Sequence, residues 1–145
     1  MSKKRMRTAL GVLSTAVATG VVLVAAQPAQ AAAAYISVSE GSCSSGYACL
    51  FFDTELQGAG YGYYNDVWNM GTISSPYNSM NNQASSARNR SNSGNAVKLY
   101  DTAGGSGTAR CLKSGYSSST MYGLSNAASA LVWSSTCGSV TVFPY

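Results

Sequence analysis

Any chemistry in this chain has to be built without histidine. Its 145 residues hold nine Lys and Arg, five Asp and Glu, and no His. That excludes a Ser-His-Asp or Cys-His centre and any His-ligated zinc or haem site. Asp53 and Glu55 stand two apart, and paired carboxylates are the residue type of glycoside hydrolysis. With five acids in all and no base to join them, they read as the solvated end of a hairpin, and the chain reads as not an enzyme. Tyr61, Tyr63, Tyr64 and Trp68 form an aromatic cluster. On a strand, Tyr61 and Tyr63 project to one side. Such a row can stack on sugar rings, although cross-strand packing is its commoner use.

The four cysteines, Cys43, Cys49, Cys111 and Cys137, are the other reactive groups. An even count in a small exported domain implies two disulfides. Three pairings are open. Cys43–Cys49 with Cys111–Cys137 is favoured because each pair is near in sequence. A zinc tetrad is disfavoured, since Cys43-x5-Cys49 lacks the usual close ligand spacing.

Export is written at the start of the chain. Lys3, Lys4, Arg5 and Arg7 precede the charge-free apolar run from Ala9 to Ala26, and Ala29-x-Ala31 has the small-x-small form read by a signal peptidase. Residues 1–31 are therefore expected to be a signal-peptide helix, and residues 32–145 the secreted domain. Four basic residues leave with the leader. Arg88, Arg90, Lys98, Arg110 and Lys113 then balance Glu40, Asp53, Glu55, Asp66 and Asp101, so the whole-chain charge of +4 becomes zero. No basic stripe remains to neutralise phosphates. The expectation is a monomer that engages neither nucleic acid nor, after cleavage, a membrane.

The elements that must position these residues are short strands. β-branched and aromatic runs sit between Gly, Asn and Ser clusters. They predict strands at Tyr35–Ser39, Ala48–Asp53, Gly60–Asn65, Ser85–Arg90, Ala96–Asp101, Thr108–Leu112, Ala130–Ser134 and Val140–Phe143. The pattern repeats. Phe51-Phe52-Asp53-Thr54 returns as Leu99-Tyr100-Asp101-Thr102, and Asn82-Gln83-Ala84-Ser85 returns as Asn126-Ala127-Ala128-Ser129. Two modules, 43–92 and 93–145, are each too small to bury a core alone. Packed sheet against sheet they can do so. The alignment makes Phe51 equivalent to Leu99 and Cys49 to Val97, all facing inward. Asn89–Asn95 reads as a linker, Asn89-Arg90-Ser91 as a weak glycosylation sequon, and Asn69–Gln83 as a surface loop.

Several of these segments resemble a known family. Cys43-Ser44-Ser45-Gly46-Tyr47-Ala48-Cys49, followed by Phe51 and a Gly-rich hairpin, resembles the opening of the streptomycete metalloproteinase inhibitor. Ala84-Ser85-Ser86-Ala87-Arg88 resembles the family's mid-chain strand. Val97-Lys98-Leu99-Tyr100, a Gly-rich turn and Arg110-Cys111-Leu112-Lys113 resemble its reactive segment. The resemblance implies an all-β, βγ-crystallin-like double Greek-key sandwich. It implies a secreted inhibitor that binds a thermolysin-type metallopeptidase substrate-like, through a disulfide-anchored loop. Carried over by position, the reactive bond is Cys111–Leu112, with Lys113 following. The family closes this loop with a second Cys a few residues on. Here that position falls near Tyr116, and the remaining partner is Cys137.

Asn81-Asn82-Gln83-Ala84-Ser85-Ser86 also matches the calcium signature of the wider βγ-crystallin superfamily. By that analogy Asn81, Asn82, the Gln83 carbonyl and Ser85 would face Asp101 and supply the hard oxygens calcium takes. No cofactor is required for inhibition, and calcium is the one candidate ion. The alternative function is a calcium- or carbohydrate-binding extracellular module without inhibitory activity.

Overall fold

The structure is a computed structural model and describes residues 33–145. The expected signal peptide, residues 1–31, lies outside them. The strands are β1 (Tyr35–Val38), β2 (Ala48–Phe51), β3 (Gly60–Tyr63), β4 (Ser86–Asn89), β5 (Ala96–Thr102), β6 (Ser106–Leu112), β7 (Ser117–Ser118) and β8 (Ala130–Ser134). Three one-turn 3-10 segments interrupt them, and the described residues contain no α-helix. Val140–Phe143, expected as a strand, contributes only a parallel bridge from Val142 to Cys111. The two-residue β7 has no apolar alternation that would have revealed it.

Two antiparallel sheets result, β1-β3-β2-β4-β7 and β6-β5-β8. Each half of the chain lends a segment to the other's sheet. Ser118 of β7 pairs with Ala87 of β4, in the sheet built by the first half. In return Val67 pairs with Leu131 of β8, through N–H to carbonyl bonds of 2.7 and 2.8 Å. A lone half would leave these edges open, and open edges invite mispairing. The exchange is a physical reason for two modules to fold as one unit.

The core lies between the sheets. Ala48, Leu50, Tyr63 and Ala87 from one sheet meet Val97, Leu99, Leu112 and Leu131 from the other. The expected pairing of Phe51 with Leu99 and Cys49 with Val97 is one residue out. In β2, Leu50 opposes Ala87; in β5, Leu99 opposes Leu131. Leu50 and Leu99 are therefore the equivalents, and both face the main core. Because side chains alternate, the one-residue slip sends Cys49 and Phe51 to the opposite face. There they pack with Val38, Cys43, Tyr47 and Leu56 in a separate cluster.

The segment Asn69–Gln83 is also more than a surface loop. Its two 3-10 turns, Met70–Thr72 and Tyr77–Met80, carry Met70 and Met80 into the core with no exposed surface. Unbranched Met fills irregular gaps of this kind, which strand periodicity cannot predict.

Candidate functional site

Both disulfides join cysteines near in sequence, Cys43 to Cys49 and Cys111 to Cys137. The first closes a six-residue separation beside Gly62, where a Cβ would come within 2.8 Å of the Ile36 side chain and 3.3 Å of the Cys49 sulfur. Glycine is what lets this bridge and Ile36 lie over β3. The second spans 26 residues and ties the C-terminal segment to β6. Beyond it, Cys111 N–H donates to Thr141 O and Phe143 N–H donates to Cys111 O, each at 2.9 Å. Phe143 then enters the core.

This arrangement corrects the expected reactive bond. Cys111 and Leu112 have no exposed surface. Leu112 opposes Val97 in β5, and the C-terminal segment covers the other edge at Cys111. A peptidase cleft needs an extended, accessible bond, and this one is a strand interior held from both sides. Leu112 is a core residue.

Exposure begins one residue later. Lys113, Gly115 and Tyr116 are exposed. The four residues Lys113-Ser114-Gly115-Tyr116 close a turn through Tyr116 N–H to Lys113 O at 3.2 Å, with Gly115 at φ 83°. A positive φ at the third position is what glycine supplies in such a turn. The turn is braced from below by Asn89, which is fully buried. Asn89 O accepts from Gly115 N–H at 3.0 Å, and Asn89 N–H donates to Tyr116 O at 2.9 Å. Its side-chain amide donates to Asn95 O and Leu112 O, and its Oδ1 accepts from Ser91 N–H. The residue read as the start of a linker and as a sequon is thus the hub under the turn, and its amide has no free surface for a glycan. Ser114 Oγ adds a bond to Ser91 O at 3.2 Å. The Tyr116 ring packs on Tyr145 with centroids 4.2 Å apart. Lys113, Tyr116 and Cys137 border a shallow, partly apolar cleft of about 350 Å³. The Ser-Gly pair was the available signal for this turn; nothing in sequence pointed to the buried amide beneath it.

The residues of the calcium signature form a clasp between the two halves. Asn82 Oδ1 accepts from Ser129 Oγ at 2.9 Å, and Ser85 Oγ donates to Asn126 Oδ1 at 3.3 Å. The backbones repeat the symmetry, with Asn82 N–H to Ala128 O and Asn126 N–H to Ala84 O. Asn82 and Asn126 sit at φ 57° and 54°, the left-handed region that Asn tolerates best among non-glycine residues. Asn81 N–H closes a turn on Asn78 O, and Gln83 N–H one on Met80 O. Asp101 turns into its own hairpin, accepting from Thr108 N–H at 2.9 Å and Thr102 Oγ1 at 3.0 Å. Those bonds from Thr108 and Thr102 hold its carboxyl below the usual carboxylate range. Asn82 and Ser85 engage Ser129 and Asn126 of the other module with their side-chain oxygens, and Asp101 spends its carboxylate locally. The set as placed does not fit a calcium centre, and among the described residues no three His, Cys, Asp or Glu gather to hold a metal.

Asp53 and Glu55 are exposed on a hairpin end. That end is pinned by Glu55 N–H to Ser119 O, Leu56 N–H to Ser86 Oγ, and Ser86 Oγ to Asp53 O. Nor do the aromatics form a row. Tyr63 is buried and donates to Tyr77 O at 2.9 Å, and burial together with neighbouring Tyr61 and Tyr35 pushes its phenol pKa up. Tyr61 packs edge-on against Phe52 and Tyr77. Tyr64 and Trp68 stay exposed.

Comparison with known proteins gives one family and one fold. A family model described as peptidase inhibitor family I36 matches residues 37–112. No curated protein matches the chain. A solved structure reported under "Evolution of the eye lens beta-gamma-crystallin domain fold" superposes with a TM-score of 0.58 at 15% identity, covering 70% of this chain and 98% of that one. At that identity the likeness concerns the fold, which is βγ-crystallin-like.

Proposed function

Because the chain belongs to peptidase inhibitor family I36, and so is an inhibitor rather than an enzyme, we propose that it blocks a secreted metallopeptidase of the thermolysin type through the Lys113–Tyr116 turn. One observation carries the choice of surface. The turn is exposed, yet four hydrogen bonds and the nearby Cys111–Cys137 bridge fix its shape before any partner arrives. A contact surface that is already ordered loses little entropy on binding. Tyr116 supplies a rigid aromatic anchor and Lys113 a charge beside it, the composition of binding hot spots being rich in such aromatics. Contact of this kind occludes the enzyme without offering a bond for cleavage. The leader pattern and the two disulfides support action outside the cell.

The test is an inhibition titration of the purified, disulfide-bonded protein against thermolysin. Stoichiometric inhibition at sub-micromolar concentration is expected. Lys113→Glu combined with Tyr116→Asp should raise the inhibition constant at least about tenfold, a loss of about 1.4 kcal/mol, while the melting temperature holds. No inhibition by folded protein at roughly a thousandfold higher concentration, an affinity gap of about 4 kcal/mol, would overturn the reading.

A further inference from the structure

A second concavity is bordered by the Ser91–Asn95 loop. It has a volume of about 170 Å³ and is lined by Tyr64, Ser91, Asn92, Ser93, Asn95 and Trp133, with Gly46 beside them. Every one of these side chains is neutral. They combine two aromatic surfaces with two hydroxyls and two carboxamides. Tyr64 is 41% exposed, and its ring is supported by Tyr47 at a centroid distance of 5.6 Å. The indole N–H of Trp133 is buried and has no hydrogen-bond partner. Trp133 itself lines the cleft, so its indole signal reports on what enters there.

The cleft is also built in advance. Ser91 Oγ accepts from Asn95 N–H at 3.0 Å and from Ser93 N–H at 3.3 Å, and Ser91 N–H is held by Asn89 Oδ1 at 2.9 Å. Gly46 N–H, at the cleft's edge, donates to Arg90 O at 2.7 Å. A Cβ at Gly46 would stand 3.4 Å from Tyr64 and 3.5 Å from the Asn92 amide, at a φ of 88° that side chains avoid. Those distances are ordinary contacts, so it is the backbone conformation that favours glycine here.

From this we infer that the cleft is a binding site for a single neutral sugar unit, separate from the peptidase contact. The chemistry of the lining selects that class. A carboxamide both donates and accepts, which matches the paired hydroxyls of a pyranose. An aromatic ring offers an apolar face to the sugar's C–H face. The lining carries no charge to recruit a phosphate or a carboxylate, and the volume is below that of ordinary drug-sized sites. For about a dozen non-hydrogen atoms at ordinary ligand efficiency, the dissociation constant should be on the order of 1 mM.

The chain has two tryptophans, Trp68 and Trp133, so an amide-correlation NMR spectrum shows two indole signals. Trp68→Phe, at an exposed position, assigns them. Glucose, galactose, mannose and N-acetylglucosamine are titrated separately to roughly a hundred times the expected millimolar constant. The expected result is a saturable shift of the Trp133 indole by at least one of them, with Trp68 unmoved. Asn92→Ala and Asn95→Ala should each weaken that response about five- to tenfold, the loss of one hydrogen bond, in proteins whose remaining spectrum is unchanged. Absence of a saturable Trp133 shift with all four sugars overturns the assignment. So does a shift indifferent to both substitutions, or saturation by adenosine alone. None of these readouts depends on inhibition of a peptidase.

Discussion

Ser129 Oγ donates to Asn82 Oδ1 at 2.9 Å across 47 residues of sequence, and Ser85 with Asn126 makes the same contact in reverse. The two Asn-x-x-Ser stretches are thus each other's partners. Each Ser also donates its backbone N–H to a strand of its own half, Ser85 to Phe51 O and Ser129 to Tyr100 O. The clasp therefore joins both sheets through four residues. A stretch that resembles a cation-binding signature here has a mechanical use.

That clasp predicts a graded response at position 82. Asn82→Gly keeps the left-handed backbone and loses the side-chain bond, and should destabilise by about 1 kcal/mol. Asn82→Ala also strains the backbone at φ 57° and should reach about 2 kcal/mol. Urea unfolding of the two variants checks the order. Equal values would show that the backbone conformation contributes nothing.

Leu112 and its neighbours separate stability from inhibition. Leu112→Ala opens a cavity in the main core and should lose about 2–5 kcal/mol, while inhibition per folded molecule stays unchanged. Lys113→Glu and Tyr116→Asp should do the opposite. Melting curves and inhibition titrations on the same samples read both effects. A folded Leu112→Ala protein that no longer inhibits would return the reactive role to the buried bond.

The C-terminal segment should behave as a structural strap. Phe143 is fully buried, and its N–H bonds Cys111 O. Phe143→Ala should destabilise by about 3–5 kcal/mol. Hydrogen exchange at the Cys111 amide, which donates to Thr141 O, should quicken in parallel. A stable variant with unchanged exchange would mean that the segment is carried by its disulfide alone.

Asp101 links stability to acid. Bonds from Thr108 and Thr102 hold its folded carboxyl below the usual carboxylate range. A lowered folded pKa contributes stability that is present above the unfolded value. It is lost as pH falls through the folded one. Asp101→Asn should therefore melt earlier than the parent at neutral pH, with the gap closing below about pH 4. Melting temperatures of the pair from pH 7 down to pH 2 test the sign. A gap that widens on acidification would reverse it.

Much of the fold is legible before any coordinates. Seven of the eight strands lie at short apolar or aromatic runs bounded by Gly, Asn and Ser. The duplication is visible in Asp-Thr and Asn-x-x-Ser. What stayed hidden is register. In β2 all four residues, Ala48 to Phe51, are buried, so alternation does not tell which pair faces the other sheet. Aligning the halves on Asp53 and Asp101 then put Phe51 opposite Leu99, where the strands place Leu50. Met70 and Met80 were hidden for a different reason, because isolated core residues in irregular turns have no period.

The site divides along the same line. Composition alone excluded histidine chemistry, because a missing residue type needs no geometry. Residue order was enough to suggest the family and the two-module sheet architecture. Only the tertiary structure could decide which residues meet solvent. Leu112 is one position from Lys113, yet it lies in the core while Lys113 lies outside it, because pairing with β5 ends at Leu112, just past the Cys111 contacts with the Thr141–Phe143 segment. Likewise Asn89 and Trp133 owe their roles to segments far from them in the chain. Burial is a property of what packs on top, and that is set by contacts across the sequence rather than along it.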